Sequence, residues 1–166
     1  MKPFGIGVFS QTIKAAGAGA ALLLSITASH AQTGPFTSFN GTWSGTGSVS
    51  LSDGSTERIR CRASYKVDDS GKGLQQSLRC ASDSYKFELS ADVIAQAGVV
   101  SGNWSEASRN IYGDLRGRAS DGKIDVFVEA AGFAANLTIM THGKKQSVSI
   151  NSKGEIRGVN ITLTKG

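Results

Sequence analysis

The sequence is poor in nearly every residue that announces chemistry. Its 166 residues hold two cysteines, two histidines, two prolines and two tryptophans. There is no C-x-x-C and no histidine pair, the usual spacings of a zinc site. The run Asp68-Asp69-Ser70-Gly71 lacks the ligand pattern of a calcium loop. No serine stands in a G-x-S-x-G elbow. Asp68 and Asp69 are adjacent carboxylates, but they read as turn residues. Nothing around them would push two pKa values apart for acid–base work. These absences point to a protein that is not an enzyme and needs no metal or cofactor. The formal net charge is +5, two units of it from Lys2 and Lys14. So weak a basic excess, with no exposed aromatics interleaved among the arginines, argues against nucleic acid. No apolar run reaches the roughly 20 residues of a membrane span, so no transmembrane segment is expected.

What is present begins with a leader. Lys2 and Lys14 precede an apolar stretch, AAGAGAALLLSITA, that ends at Ala28. Ser29-His30-Ala31 then places small residues at the −3 and −1 positions of a cleavage site. This is the pattern of a secretory signal peptide over residues 1–31. It predicts a periplasmic or secreted protein, with His142 the one histidine left after cleavage. Two cysteines in an exported chain predict one disulfide, Cys61–Cys80. Residues 32–38 read as a short polar tail, and residues 39–166 as one domain.

From Phe39 onward, apolar and polar residues alternate, with Gly, Asp, Asn or Ser punctuation about every 8–12 residues. The pattern predicts an all-β fold, an antiparallel up-and-down meander of about ten strands. So long a meander with one apolar face would close into a barrel and so lose its edges. Setting Cys61 opposite Cys80 aligns Ala63 with Leu78, Tyr65 with Gln76 and Val67 with Leu74. A tight turn at Ser82-Asp83 would then pair Cys80 with Tyr85 and Leu78 with Phe87. A bulged loop at Asp53-Gly54 would pair Val49 with Ile59. The Asp121-Gly122 hairpin pairs Ala119 with Ile124, Gly117 with Val126 and Leu115 with Val128. Gly45, Gly47, Gly102, Gly113 and Gly117 fall on the inward face. There they relieve crowding at bends or leave room for a ligand.

Two groups of side chains are candidates for function. Trp43, Trp104, Tyr65 and Phe87 face inward, either lining a pocket for an apolar or amphipathic ligand or filling the core of a structural or protein-interaction module that works through its surface. Arg58, Arg60 and Arg62 alternate on the outward face of one strand, with Arg62 opposite Arg79 and Arg79 opposite Lys86. Like charges facing across strands are destabilising. Either this patch binds an anion, or Glu57, Glu88 and solvent relieve it. The partners so implied are a lipid or an envelope glycan. Glu106 reads as an acid at an exposed strand tip.

The run Asn40-Gly41-Thr42-Trp43 resembles the G-x-W opening of calycin-type barrels, which include lipocalins, fatty-acid-binding proteins and avidins. The resemblance implies a Trp that plugs one end of a barrel around an apolar ligand. Arg157 is the nearest match to the cation that packs over that Trp in lipocalins, and the tryptophan-rich pocket of avidins is absent. The motifs GTWSGTG, the Cys61/Cys80 hairpin, SGNWSE and FAANL are similar to those of small exported proteins of unassigned role in alphaproteobacteria. That likeness spans nearly the whole chain after the leader.

Overall fold

A computed structural model describes residues 34–166; the expected signal peptide lies outside the described residues. A short 3-10 helix, Thr37–Phe39, leads into ten strands. They are β1 (Gly41–Leu51), β2 (Thr56–Val67), β3 (Gly73–Ala81), β4 (Lys86–Gln96) and β5 (Val99–Glu106). The chain continues through β6 (Ile111–Ser120), β7 (Lys123–Ala130), β8 (Phe133–His142), β9 (Lys145–Ser152) and β10 (Ile156–Lys165). Each strand pairs antiparallel with its neighbours in sequence, and β10 returns to β1 to close the barrel.

The alternation dictates the wall. Along β2, Ile59, Cys61, Ala63 and Tyr65 are buried while Arg58, Arg60, Arg62 and Ser64 are exposed. Cys61 and Cys80 form a disulfide across β2 and β3, their Cα atoms 4.1 Å apart. Ala63, Tyr65 and Val67 pair with Leu78, Gln76 and Leu74 as the alternation requires. The Asp121-Gly122 hairpin also holds the expected register, Ala119 to Ile124 and Leu115 to Val128.

Two hairpins differ from expectation, each by two residues. Val49 pairs with Glu57, and Ile59 with Gly47. Ser52, Asp53 and Gly54 make a three-residue loop in which Leu51 N–H donates to Ser55 O at 2.9 Å. Gly54 takes the positive φ (86°) that such a loop requires. Asp53 accepts from Ser55 N at 2.8 Å and locks it. In the β3–β4 hairpin, Cys80 pairs with Phe87 rather than Tyr85, and Leu78 with Leu89. Here four residues, 82–85, form the loop. The Ser82 hydroxyl accepts from Tyr85 N at 2.9 Å, while Ser82 N–H donates to Tyr85 O at 2.9 Å, which sets Ser82 against Tyr85 at the base of the turn. Both shifts are even, so no side chain changes face.

At the inward glycines neighbouring backbones crowd together. A methyl group at Gly45 would overlap the Thr162 carbonyl of β10, and one at Gly117 the Asp125 carbonyl of β7. Backbones approach too closely there for any side chain, which is the crowding reading of these positions.

Candidate functional site: a capped barrel with a half-buried inner face

The two ends of the barrel are built differently. At one end, the segment expected as a polar tail folds over the opening. Phe36 and Phe39 are fully buried. Phe36 N–H donates to Gly71 O in the β2–β3 loop at 3.1 Å. Trp43 lies beneath this cap, fully buried, and its indole N–H donates to Phe39 O at 2.7 Å. Phe39 packs edge-on against Tyr65 at 5.9 Å.

The cap has a polar spine that the sequence did not announce. Tyr65 Oη donates to Gln146 Oε1 at 2.8 Å, and Gln146 Nε2 donates to Thr141 Oγ1 at 2.9 Å. Gln146 and Thr141 are both buried. Burial pushes the Tyr65 hydroxyl far above its ordinary pKa, with only partial relief from Gln146. It therefore stays neutral and serves as a donor. The cation over the plugging tryptophan is Lys165, its Nζ 5.4 Å from the Trp43 ring. Arg157, the match suggested by the lipocalin pattern, instead donates to Lys153 O at 2.8 Å.

On one side of the barrel, along β4 and the neighbouring β5, burial becomes partial, while Val49 and Ile59 stay buried at the uncapped end. The inward face of β4, with Phe87, Leu89, Ala91 and Val93, is half-buried along its length. So are Trp104 and Phe133, whose rings meet edge-on at 5.7 Å. Trp104 Nε1 donates to Asp114 O at 3.2 Å. Its indole lies over Gly113, where a methyl group would collide with it. At the rim, the Arg109 guanidinium sits 5.0 Å from the Phe87 ring, and Tyr85 stacks on Phe87 at 6.1 Å. The four aromatic candidates thus fall into two pairs. Trp43 and Tyr65 make the sealed floor, while Trp104 and Phe87 lie on the half-buried face.

Glu106 is buried, not the exposed tip expected from its place at the end of β5. It accepts from the backbone N–H of Glu88 at 3.0 Å, Ser108 at 3.2 Å and Arg109 at 2.8 Å. Burial raises its pKa, but these donors outweigh burial and hold the carboxyl below its usual value. A depressed pKa stabilises the fold above the unfolded-state value, and that stability fades as pH falls through the folded value. Glu106→Gln is expected to cost about 1–2 kcal/mol at neutral pH by weakening charge-assisted bonds. The gap between mutant and parent in urea unfolding should narrow on acidification below the ordinary glutamate range. A gap unchanged across that range would mean the carboxylate charge is irrelevant to the β5–β6 turn.

The outward arginines are only partly as expected. Arg62 does lie opposite Arg79. The four-residue loop brings Glu88, rather than Lys86, opposite Arg79, and the two make an ion pair at 3.9 Å. Arg58, Arg60 and Arg62 face Ser48, Thr46 and Ser44 of β1. His142 is exposed at the end of β8.

Solved structures share this architecture. The fold is calycin-like. The crystal structure of Rv2717c from M. tuberculosis aligns with a TM-score of 0.63 at 11% identity, over 78% of this chain and 94% of that one. The S-type phycobiliprotein lyase CPES from Guillardia theta aligns with a TM-score of 0.56 at 11% identity, over 79% and 90%. At such identity the likeness is one of fold. No family model matches the chain, and no curated protein matches it. Among the described residues no helix is long and apolar enough to cross a membrane.

Proposed function

We propose that this protein is an exported, non-catalytic barrel that takes an apolar or amphipathic ligand, such as a lipid of the cell envelope, along its half-buried inner face. The observation that carries the reading is the asymmetry of burial. Inward side chains of β1 and β2 (Trp43, Val49, Ile59, Tyr65) are buried at both ends, whereas those of β4 (Phe87, Leu89, Ala91, Val93), with Trp104, Phe133 and Leu137, are only half-buried. Binding sites are characteristically concave and apolar, with a few polar groups at the entrance. Arg109, beside Phe87 and 3.6 Å from the Glu106 carboxylate, is the cationic group nearest this face. Export to the periplasm is supported by Lys2, Lys14, the apolar run to Ala28 and the disulfide. The motifs GTWSGTG and SGNWSE support kinship with exported alphaproteobacterial proteins. One fold neighbour is a lyase, so the fold by itself does not decide against catalysis. Binding is preferred because no nucleophile–base pair was found in the sequence.

The two tryptophans give a direct test, since they stand at opposite ends. A dibrominated fatty acid quenches only an indole that it touches. It is expected to quench the parent protein strongly and to leave the Trp43 emission of Trp104→Phe largely intact. Native mass spectrometry of protein purified from its own periplasm should show a bound lipid. Absence of quenching in the parent, together with a bare mass, would overturn the reading.

A further inference from the structure

The outer wall carries a second feature, independent of the barrel interior. Where β9, β10, β1 and β2 run side by side, the outward side chains form cross-strand rows. In one, Arg58 lies opposite Ser48, Ser48 opposite Asn160, and Asn160 opposite Ser149. In the next, Arg60 lies opposite Thr46, Thr46 opposite Thr162, and Thr162 opposite Ser147. The side chains of β1, β9 and β10 in these rows are all short. The wall is consequently concave here, a groove of about 860 Å³ that runs across the β1–β10 closure. Ser82 and Asp83 of the β3–β4 loop form a lip beside the arginines.

The chemistry of this groove is selective. Ile59, Val148 and Ile161 border it, but they are buried in the core and offer it backbone. An apolar tail would therefore gain little by lying there. No aromatic ring borders it, so a nucleic-acid base would have nothing to stack on. The floor presents hydroxyls and one carboxamide, which both donate and accept.

The arginines are as distinctive as the floor. Among the described residues, neither Arg58 nor Arg60 has a carboxylate within ion-pairing distance. Arg116 and Arg118 on β6 have the same spacing, yet Arg116 pairs with Glu129, and Arg118 lies opposite Asp125, which itself pairs with Lys123. On β6 carboxylates lie within or across from the arginine row, whereas Arg58 and Arg60 face hydroxyls of β1. Guanidinium groups bind carboxylates and sulfates in bidentate fashion. Hydroxylated rings that carry such acids match both halves of the groove.

We propose that this groove binds an acidic polysaccharide, with Arg58 and Arg60 on its acid groups and Thr46, Ser48, Asn160 and Thr162 on its ring hydroxyls. The probe is a polygalacturonate oligosaccharide, titrated calorimetrically into the full exported chain, with neutral dextran and inorganic phosphate as comparisons. Polygalacturonate should bind, and dextran should not. Arg58→Ser with Arg60→Ser should weaken binding about tenfold or more, the loss of one or two charge-assisted contacts. Arg116→Ser with Arg118→Ser removes the same charge and should change affinity by less than about twofold. Thr46→Val with Thr162→Val keeps both arginines and should weaken the oligosaccharide about three- to fivefold while leaving phosphate unaffected. Equal losses from the two arginine pairs would reduce the effect to general charge. A threonine pair without effect, or phosphate binding as tightly as the oligosaccharide, would make the groove irrelevant. Either result overturns the proposal, as does the absence of binding. All six positions are outward-facing, so circular dichroism should show the barrel intact in each variant.

Discussion

Replacing Trp43 with alanine is expected to destabilise the barrel by about 3–5 kcal/mol, the usual range for a fully buried tryptophan. Three contributions act together. The indole is wholly buried beneath the cap. Its N–H is the donor for the Phe39 carbonyl at 2.7 Å. Its ring carries the Lys165 ammonium. Removing it leaves a cavity, a buried carbonyl without its donor, and a lysine without its ring. Trp43→Phe isolates the hydrogen bond, because most of the ring volume remains. It should cost less, near the roughly 1–3 kcal/mol of an unsatisfied buried polar group plus a smaller cavity. Urea unfolding monitored by circular dichroism would separate the two. A Trp43→Ala loss below about 1 kcal/mol would show that the cap is not coupled to the barrel.

The second large effect is expected from the disulfide. Replacing both Cys61 and Cys80 with alanine should cost roughly 3 kcal/mol, the entropy of a closed loop of this length. For a domain of this size the melting temperature should fall by about 10 °C. The mechanism is chiefly freedom regained by the unfolded chain, because Ala63–Leu78 and Tyr65–Gln76 still specify the same pairing. The variant should therefore keep its native circular dichroism while melting earlier. Reduction of the parent by dithiothreitol should produce the same shift. A reduced protein that melts where the oxidised one does would remove the staple from the account of stability.

Alternation decides which face a side chain takes, so Ile59, Ala63, Tyr65, Val100 and Leu115 are all inward as read. It does not decide the register between two strands beyond a multiple of two residues. Where a turn has one favoured geometry, as at Asp121-Gly122, the pairing was legible. Where side-chain hydrogen bonds select the loop, as Asp53 and Ser82 do, it was not. The β3–β4 loop matters for the patch, since a two-residue turn there would set Lys86 rather than Glu88 against Arg79. The cap was missed because Pro35 and the polar residues around it read as a tail. The spacing of Phe36 and Phe39 was the available signal. The groove could not be read from any one strand, because its floor is assembled from both ends of the chain. Glu106 was misjudged because nearness to a strand end says nothing about the N–H groups that a turn will direct at it.

The pairing of β1 with β10 has a consequence in time. Every other pairing joins strands adjacent in sequence and needs only a short loop to form. This one joins residues from opposite ends of the domain, such as Val49 and Val159. The entropy of loop closure grows with length, and pairings between distant segments slow folding. The hairpins can zip early, while the ring closes late. Until it does, β1 and β10 are two bare edges, each a template for another copy of the chain. The finished molecule has no edge to offer, so its exposure to aggregation is confined to the interval before closure.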